Sequence, residues 1–270
     1  MTATIAETGL IDGLPNHEYH SHDSLSATGL KILATQTPAH YRHRMDNPEH
    51  KGIFDVGTAT HSLVLEDDHS KIRALDFADW RTKAAREERD AAYAEGMVPL
   101  LEKDYLVVKA MRDSVAAHPV ARLALTGGKA EQSLFWQHDT GAALRCRPDK
   151  LDLESPIGPI VADLKTAASA DPRKFGKTAF DLGYHQQDPH YRDGIHAVTG
   201  ARPDFLFILV EKQPPYLVSV VELDAEALDL GRAANTRSIH TYNHCSATNE
   251  WPGYPQSDPI SLPAWATREA

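Results

Sequence analysis

Residues 147–166 read RPDKLDLESPIGPIVADLKT. Two apolar runs are joined by a Pro/Gly turn, with Asp149 on the first run and Asp163 and Lys165 on the second. Period-two alternation in an extended VADLKT puts Asp163 and Lys165 on one face and Leu164 on the other. Leu164 then anchors the strand in a core, while its main-chain carbonyl can still turn towards a cation. Two carboxylates and an amine converging from neighbouring strands suit a divalent ion and an attacking water at a phosphodiester. Mg²⁺ prefers oxygen ligands at about 2.1 Å and keeps several waters, so carboxylates, a carbonyl and a phosphate oxygen form a natural set. Lys165 would orient the water and stabilise developing negative charge.

A lone D-x-K is common in solvated strands. What gives this one meaning is the order of its neighbours: His61 upstream, then R-P-D, then D-x-K, then Gln187 and Tyr191 in a Q-x-x-x-Y spacing. By itself His61 on an apolar helix face reads as a core histidine.

The surrounding chain alternates helix and strand signals. The run ATGLKILATQTPAHYRHRM after Ser26 is helical, with Ser26 as N-cap and Pro38 opening the next turn. FDVGTATHSLVLE at 54–66 puts Gly57 and His61 one turn apart on one face. The stretch 80–118 predicts two helices, WRTKAAREERDAAYAE and PLLEKDYLVVKAMRDSVAAH, separated by Gly96 and Pro99. After Gly127-Gly128 the pattern becomes strand-like in EQSLFWQ, AALRCRPDKLDL and PIVADLKT. Residues 173–199 return to helix. FLFILVEK and PYLVSVVELD form a hairpin across Gln213-Pro214-Pro215, and a final helix begins near Ala225. Residues 1–23 and the Pro-rich tail from Trp251 read as irregular. With no repeat and no long linker, 1–270 reads as one α/β domain, a central mixed sheet flanked by helices.

A chain of 270 residues with net charge −10 is not one that coats nucleic acid through overall positive charge. A local basic groove stays compatible with that total. No run approaches the roughly 18 apolar residues of a membrane span, and MTATIAETGLIDGLP lacks the basic and apolar regions of a secretion signal. Two cysteines, Cys146 and Cys245, cannot build a four-cysteine zinc or iron–sulfur site and fit a reducing cytoplasm. Nothing marks Cys146, between two arginines, as a nucleophile, and no G-x-x-x-x-G-K-[ST] loop supports a motor. His17, His20, His22, His40 and His43 form no helical H-x-x-x-H pair and read as surface residues. Arg81, Lys83, Arg86 and Arg89 form a basic cluster at 80–94. It is either a solvated face balanced by Glu87, Glu88 and Asp90 or a helix that contacts DNA phosphates.

GTATH at 57–61, RPDKLD at 147–152, DLKT at 163–166 and YHQQDPHY at 184–191 resemble the RecB-like branch of the PD-(D/E)XK nuclease superfamily. With YHSHDSLSATGLKIL, TPAHY, FADWRTKAAREERDAA and FLFILVEKQPPYLVSVVELD, the resemblance extends over roughly 17–254 to the RecE-type exonucleases (exonuclease VIII). It implies a three-layer α/β/α nuclease core. It implies an Mg²⁺-dependent exodeoxyribonuclease, with Mn²⁺ as possible substitute, digesting linear double-stranded DNA 5′→3′ from its ends to supply single strands for recombination. A homo-oligomeric ring, a RecT-type single-strand-annealing partner and a phage or prophage setting in a bacterial cytoplasm are also implied. By position, His61, Asp149 and Asp163 would bind metal with the Leu164 carbonyl, and Lys165 would be catalytic. Gln187 and Tyr191 would contact DNA or shape the site, and Glu131 matches an acid on the first strand of the sheet. Pro189 lies between Gln187 and Tyr191, so either Asp188 caps a helix starting at Pro189 or the helix kinks. The other readings are a PD-(D/E)XK endonuclease or other DNA-processing nuclease, and a DNA-binding recombination factor that no longer cleaves. The iron–sulfur version lacks its cysteines, and the intact D-x-K argues against lost cleavage.

Overall fold

In the computed structural model, which describes residues 8–47, 55–65, 68–256 and 259–262, strand β8 (Ile160–Ala167) is the centre of the architecture. It is the third strand of a five-stranded sheet ordered β10-β9-β8-β7-β4, formed with β4 (Lys129–Ala130), β7 (Lys150–Asp152), β9 (Asp204–Glu211) and β10 (Val218–Val221). β8 and β9 run parallel and the other pairs antiparallel, so the sheet is mixed. The strands alternate between two cores. Val161, Phe205, Phe207 and Leu209 face helices α2 (Ala27–Thr35), α8 (Pro172–Leu182), α9 (Tyr184–Thr199) and α10 (Ala225–Thr248). Ala162, Leu164, Ile208 and Val210 face α4 (Asp55–Leu65), α6 (Glu102–Ala117) and α7 (Pro119–Thr126). A strand covered on both sides is apolar throughout, and each fully buried Phe or Leu contributes roughly 2–3 kcal/mol. The result is the three-layer α/β/α core that the resemblance implies, built as the mixed sheet flanked by helices that the sequence pattern predicts.

A second sheet joins β1 (Gly9–Ile11), β5 (Ser133–Gln137) and β6 (Ala143–Cys146). It corrects the reading of residues 1–23 as irregular: β1 pairs with β5, and α1 (Asn16–Ser21) follows. Three residues of β1 have little local signal; they fold because β5 supplies the partner. A small parallel pair, β2 (Ile72–Leu75) with β3 (Val98–Leu101), stands apart. β3 takes the start of the expected second helix in 80–118, because Pro99 is tolerated on a strand with one partner, and α6 begins only at Glu102. Helix α5 (Lys83–Ala94) starts at a Thr82 cap rather than at Trp80. The helical run after Ser26 divides into α2 and α3 (Pro38–Asp46), with Pro38 at the first position of α3. Of the expected 173–199 helix, Gly183 makes two: its φ of +75° breaks the ladder between α8 and α9. The hairpin of β9 and β10 forms, with β10 shorter than its sequence pattern. Residues 251–256 and 259–262 carry no regular element, and 263–270 lie outside the described residues. No described helix is long and apolar enough to cross a membrane.

Candidate active site

The stretch AALRCRPDKLDL is one line in register but two strands in space. Ala130 faces Lys150 in one sheet and Leu134 faces Cys146 in the other, so the pairing resumes across the gap without slipping. Pro148 has no N–H to continue the ladder, and opposite it the chain turns sharply, with Glu131 at φ +52°. The two breaks stay joined through Glu131 N–H, which donates to Asp149 O at 3.2 Å. Arg147 fastens the outer side, donating from Nε and Nη2 to Ser133 Oγ at 2.9 and 2.7 Å. The break therefore sets two carboxylates, Glu131 and Asp149, across from each other where the sheet opens.

His61 of α4 completes this group: its Nδ1 lies 3.5 Å from Asp149 Oδ2. Ligand atoms of His61, Glu131 and Asp149 all fall within 4.8 Å of one another. Opposed like charges destabilise a strand pair, so the cluster suits a divalent cation between them. On the other side of Asp149, β7 ends at the pair Lys150–Ala162. Asp149 Oδ2 reaches past that end and accepts from Leu164 N–H at 2.7 Å. In a strand, N–H and C=O of one residue leave on the same side, so the Leu164 carbonyl faces the same opening.

Asp163 is 1% exposed. Its Oδ2 accepts from Gln187 Nε2 at 2.7 Å. Its Oδ1 lies 2.5 Å from Lys165 Nζ. Burial, reinforced by Asp149, raises the Asp163 carboxyl above its ordinary range although Lys165 and His61 oppose this. Burial alone would lower Lys165, but Asp163 and Asp149 outweigh it and keep the ammonium charged. Lys165 Nζ also sits over the Tyr184 ring, 4.7 Å from its centroid. A buried carboxylate paired with a lysine, beside a histidine and two more carboxylates, is a donor set that fits a divalent cation.

The first alternative for the Q-x-x-x-Y segment, a helix starting at Pro189, does not hold. The helix starts at Tyr184 and runs through Pro189, and Asp188 does not cap it. Asp188 is wholly buried and pairs with Arg192 Nε at 2.5 Å; burial pushes its carboxyl up to about 6 against the pull of Arg192. Pro189 removes the N–H that would bond His185 O. α10 covers the gap: an added Cβ at Gly231 would lie 1.6 Å from His185 O. Asn235, from the same helix, donates from Nδ2 to Gln186 O at 2.8 Å and accepts from Gln186 Nε2 at 3.0 Å. Gln187 accordingly faces Asp163. Tyr191 packs edge-on against Phe205, and burial, with Tyr19 and Asp163, raises its hydroxyl well above the ordinary range.

Six residues singled out in the sequence thus meet: His61, Glu131, Asp149, Asp163, Lys165 and Gln187. The basic cluster does not join them. α5 packs on β2 and β3, and the cations of the cluster meet nearby acids: Arg81, just ahead of α5, with Asp79, Lys83 with Glu87, Arg89 with Asp90. Arg86 donates to Arg81 O at 2.7 Å. His17, His20, His40 and His43 are exposed and His22 is half-buried; both cysteines are free and buried. Tyr184, Asn235 and Gly231 were not legible as part of this site. Only Tyr184 left a trace, three residues before Gln187 and hence on a shared helix face.

Comparisons with known proteins bear on the fold and the family of the chain. A solved structure from Eubacterium rectale, provisionally described as an exonuclease, superposes with TM-score 0.63 at 14% identity, covering 90% of this chain and 96% of its own. That likeness concerns the fold. A second, SSO0001, reaches TM-score 0.31 at 12% identity over 71% of this chain and 85% of its own, and carries no argument. No curated protein matches the sequence. Residues 26–258 match the family described as PDDEXK-like domain of unknown function (DUF3799), a span that takes in every residue of the site described above. The chain belongs to that PDDEXK-like family, and its fold is that of the PD-(D/E)XK nucleases.

Proposed function

We propose that this protein is an exodeoxyribonuclease of the RecE type, degrading linear double-stranded DNA from its ends with Mg²⁺, or Mn²⁺ in its place. One observation carries the reading: the buried Asp163, paired with Lys165 and steered by Gln187, stands beside the His61–Glu131–Asp149 cluster. His61, Glu131, Asp149 and Asp163 would hold the cation with the Leu164 carbonyl; a histidine donor suits Mn²⁺ at least as well as Mg²⁺. Bound there, a divalent cation neutralises phosphate charge and makes a nearby water more acidic.

The remaining chemistry belongs to the chain. Gln187 holds one oxygen of Asp163 and so fixes the direction of the other. Lys165, kept protonated by two carboxylates, places a positive charge where negative charge builds on the phosphate. Tyr184 beneath its ammonium limits the directions in which that charge can point. The Pro148 break keeps the sheet edge open so that a strand of DNA can reach these groups. The 5′→3′ polarity, the ring assembly, the RecT-type annealing partner and the role in recombination rest on the resemblance to the RecE-type exonucleases.

Incubation with linear and closed-circular duplex and Mg²⁺ tests this. Progressive loss of linear DNA alone, abolished at least about 10³-fold by Asp163→Ala, is the expected result. Nicked circles would make it an endonuclease, and binding without cleavage a recombination factor.

A further inference from the structure

We infer that the outward face of α8 is the track for the phosphate backbone of the DNA substrate, a proposal that rests on the nuclease reading above. A chain of net charge −10 repels DNA except where cations are concentrated locally. α8, PRKFGKTAFDL, carries Arg173, Lys174 and Lys177 against one acid, Asp181. α5 carries Lys83, Arg86 and Arg89 against Glu87, Glu88 and Asp90, and its span is neutral.

The side chains of Arg173 and Lys177 are 89% and 82% exposed. Each has an acid beside it, Asp171 and Asp181 respectively. Exposed pairs of this kind contribute little, so exchanging a carboxylate for a phosphate costs little. Arg173, Lys177 and Phe180 are spaced four and three apart and form one stripe. Phe180 is 61% exposed and lies flat on His185, at 5.1 Å and 17°. An exposed ring among cations is a platform on which an unpaired base can stack.

Position links this face to the chemistry. α8 begins five residues after β8 ends (167 to 172). Its buried Phe175 stacks with Tyr184 at 6.1 Å and 24°, and Tyr184 is the ring under Lys165 Nζ. α8 is therefore packed against the ring that carries the Lys165 ammonium, and a backbone on its outward face would run about one helix diameter, ~10 Å, from the Asp163–Lys165 pair. α5, packed on β2 and β3, has no comparable connection to that pair.

Fluorescence polarisation of an end-labelled duplex, with Ca²⁺ replacing Mg²⁺, would compare the full chain with Lys174→Glu/Lys177→Glu and Arg86→Glu/Arg89→Glu. The α8 variant should bind about tenfold or more weakly and lose roughly 1–2 from the slope of log affinity against log salt, since each phosphate contact contributes about 0.9. The α5 variant should change much less. Unchanged binding in the α8 variant, or equal losses in both, overturns the proposal. Circular dichroism monitors folding, and Lys174→Ala/Lys177→Ala replaces the charge reversal if that variant unfolds. If wild type digests linear duplex while the α8 variant binds as wild type does, this inference falls and the nuclease reading stands. A folded wild type that binds no duplex removes both.

Discussion

Glu131 is the residue whose backbone and side chain point most clearly in different directions. A φ of +52° is uncommon for a non-glycine residue, and conformations of that kind cost about 1–3 kcal/mol. The side chain, in turn, stands within reach of Asp149 and His61. Strain and like-charge opposition act against folding, Arg147 offsets part of the opposition, and the rest is understandable if the position is retained for a cation. Glu131→Gly should therefore leave metal-free stability unchanged or raise it by about 1 kcal/mol, because glycine accepts positive φ. The same change should weaken Mn²⁺ binding at least about tenfold through loss of one carboxylate. Thermal melts in chelator and calorimetric Mn²⁺ titration read the two effects separately. A variant that melts lower yet binds Mn²⁺ normally would show that Glu131 serves the fold and not the site.

At the level of helices, α9 carries a proline where a helix tolerates one poorly, and α10 supplies the remedy. Gly231 lets the two helices close over His185 O, and Asn235 takes up both polar groups of Gln186. Gln187, next in the chain, is thereby held against Asp163. Asn235→Ala should cost about 2 kcal/mol, since it leaves buried polar groups of Gln186 without partners. Gln186→Ala removes the amide that Asn235 serves, so in that background the cost should shrink, and a double-mutant cycle by urea unfolding measures the coupling. Equal costs in the two backgrounds would mean that the Asn235–Gln186 amide pair contributes nothing to stability.

Across the whole molecule, helices on both faces bury β8 and β9, while the sheet opens at its Pro148 break and leaves acids from separate segments facing one another. Such a molecule gains stability when a cation binds the folded form alone. Mn²⁺ at about 100 times its Kd should add roughly 2.7 kcal/mol, which raises Tm by several degrees in a domain of this size. Chelator should reverse the shift and Asp149→Asn should remove it. A Tm indifferent to Mn²⁺ and Mg²⁺ would leave the carboxylate cluster without a ligand.

Local pattern already carried a central mixed sheet flanked by helices. Runs such as PIVADLKT and FLFILVEK are apolar at nearly every position, which is the mark of strands covered on both sides, and the helices between them have their own caps and breakers. D-x-K alternation likewise placed Asp163 and Lys165 on one face, and Arg-Pro-Asp marked where a ladder must stop. Partnership between distant segments was decided only in three dimensions. β1 exists because β5 pairs with it, and Glu131 meets Asp149 because two strands break at the same level. Gln187 faces Asp163 because α10 covers the proline, and the basic helix that borders the site is α8 rather than α5. Each of these depends on contacts across tens to hundreds of residues, where neither periodicity nor capping leaves a trace.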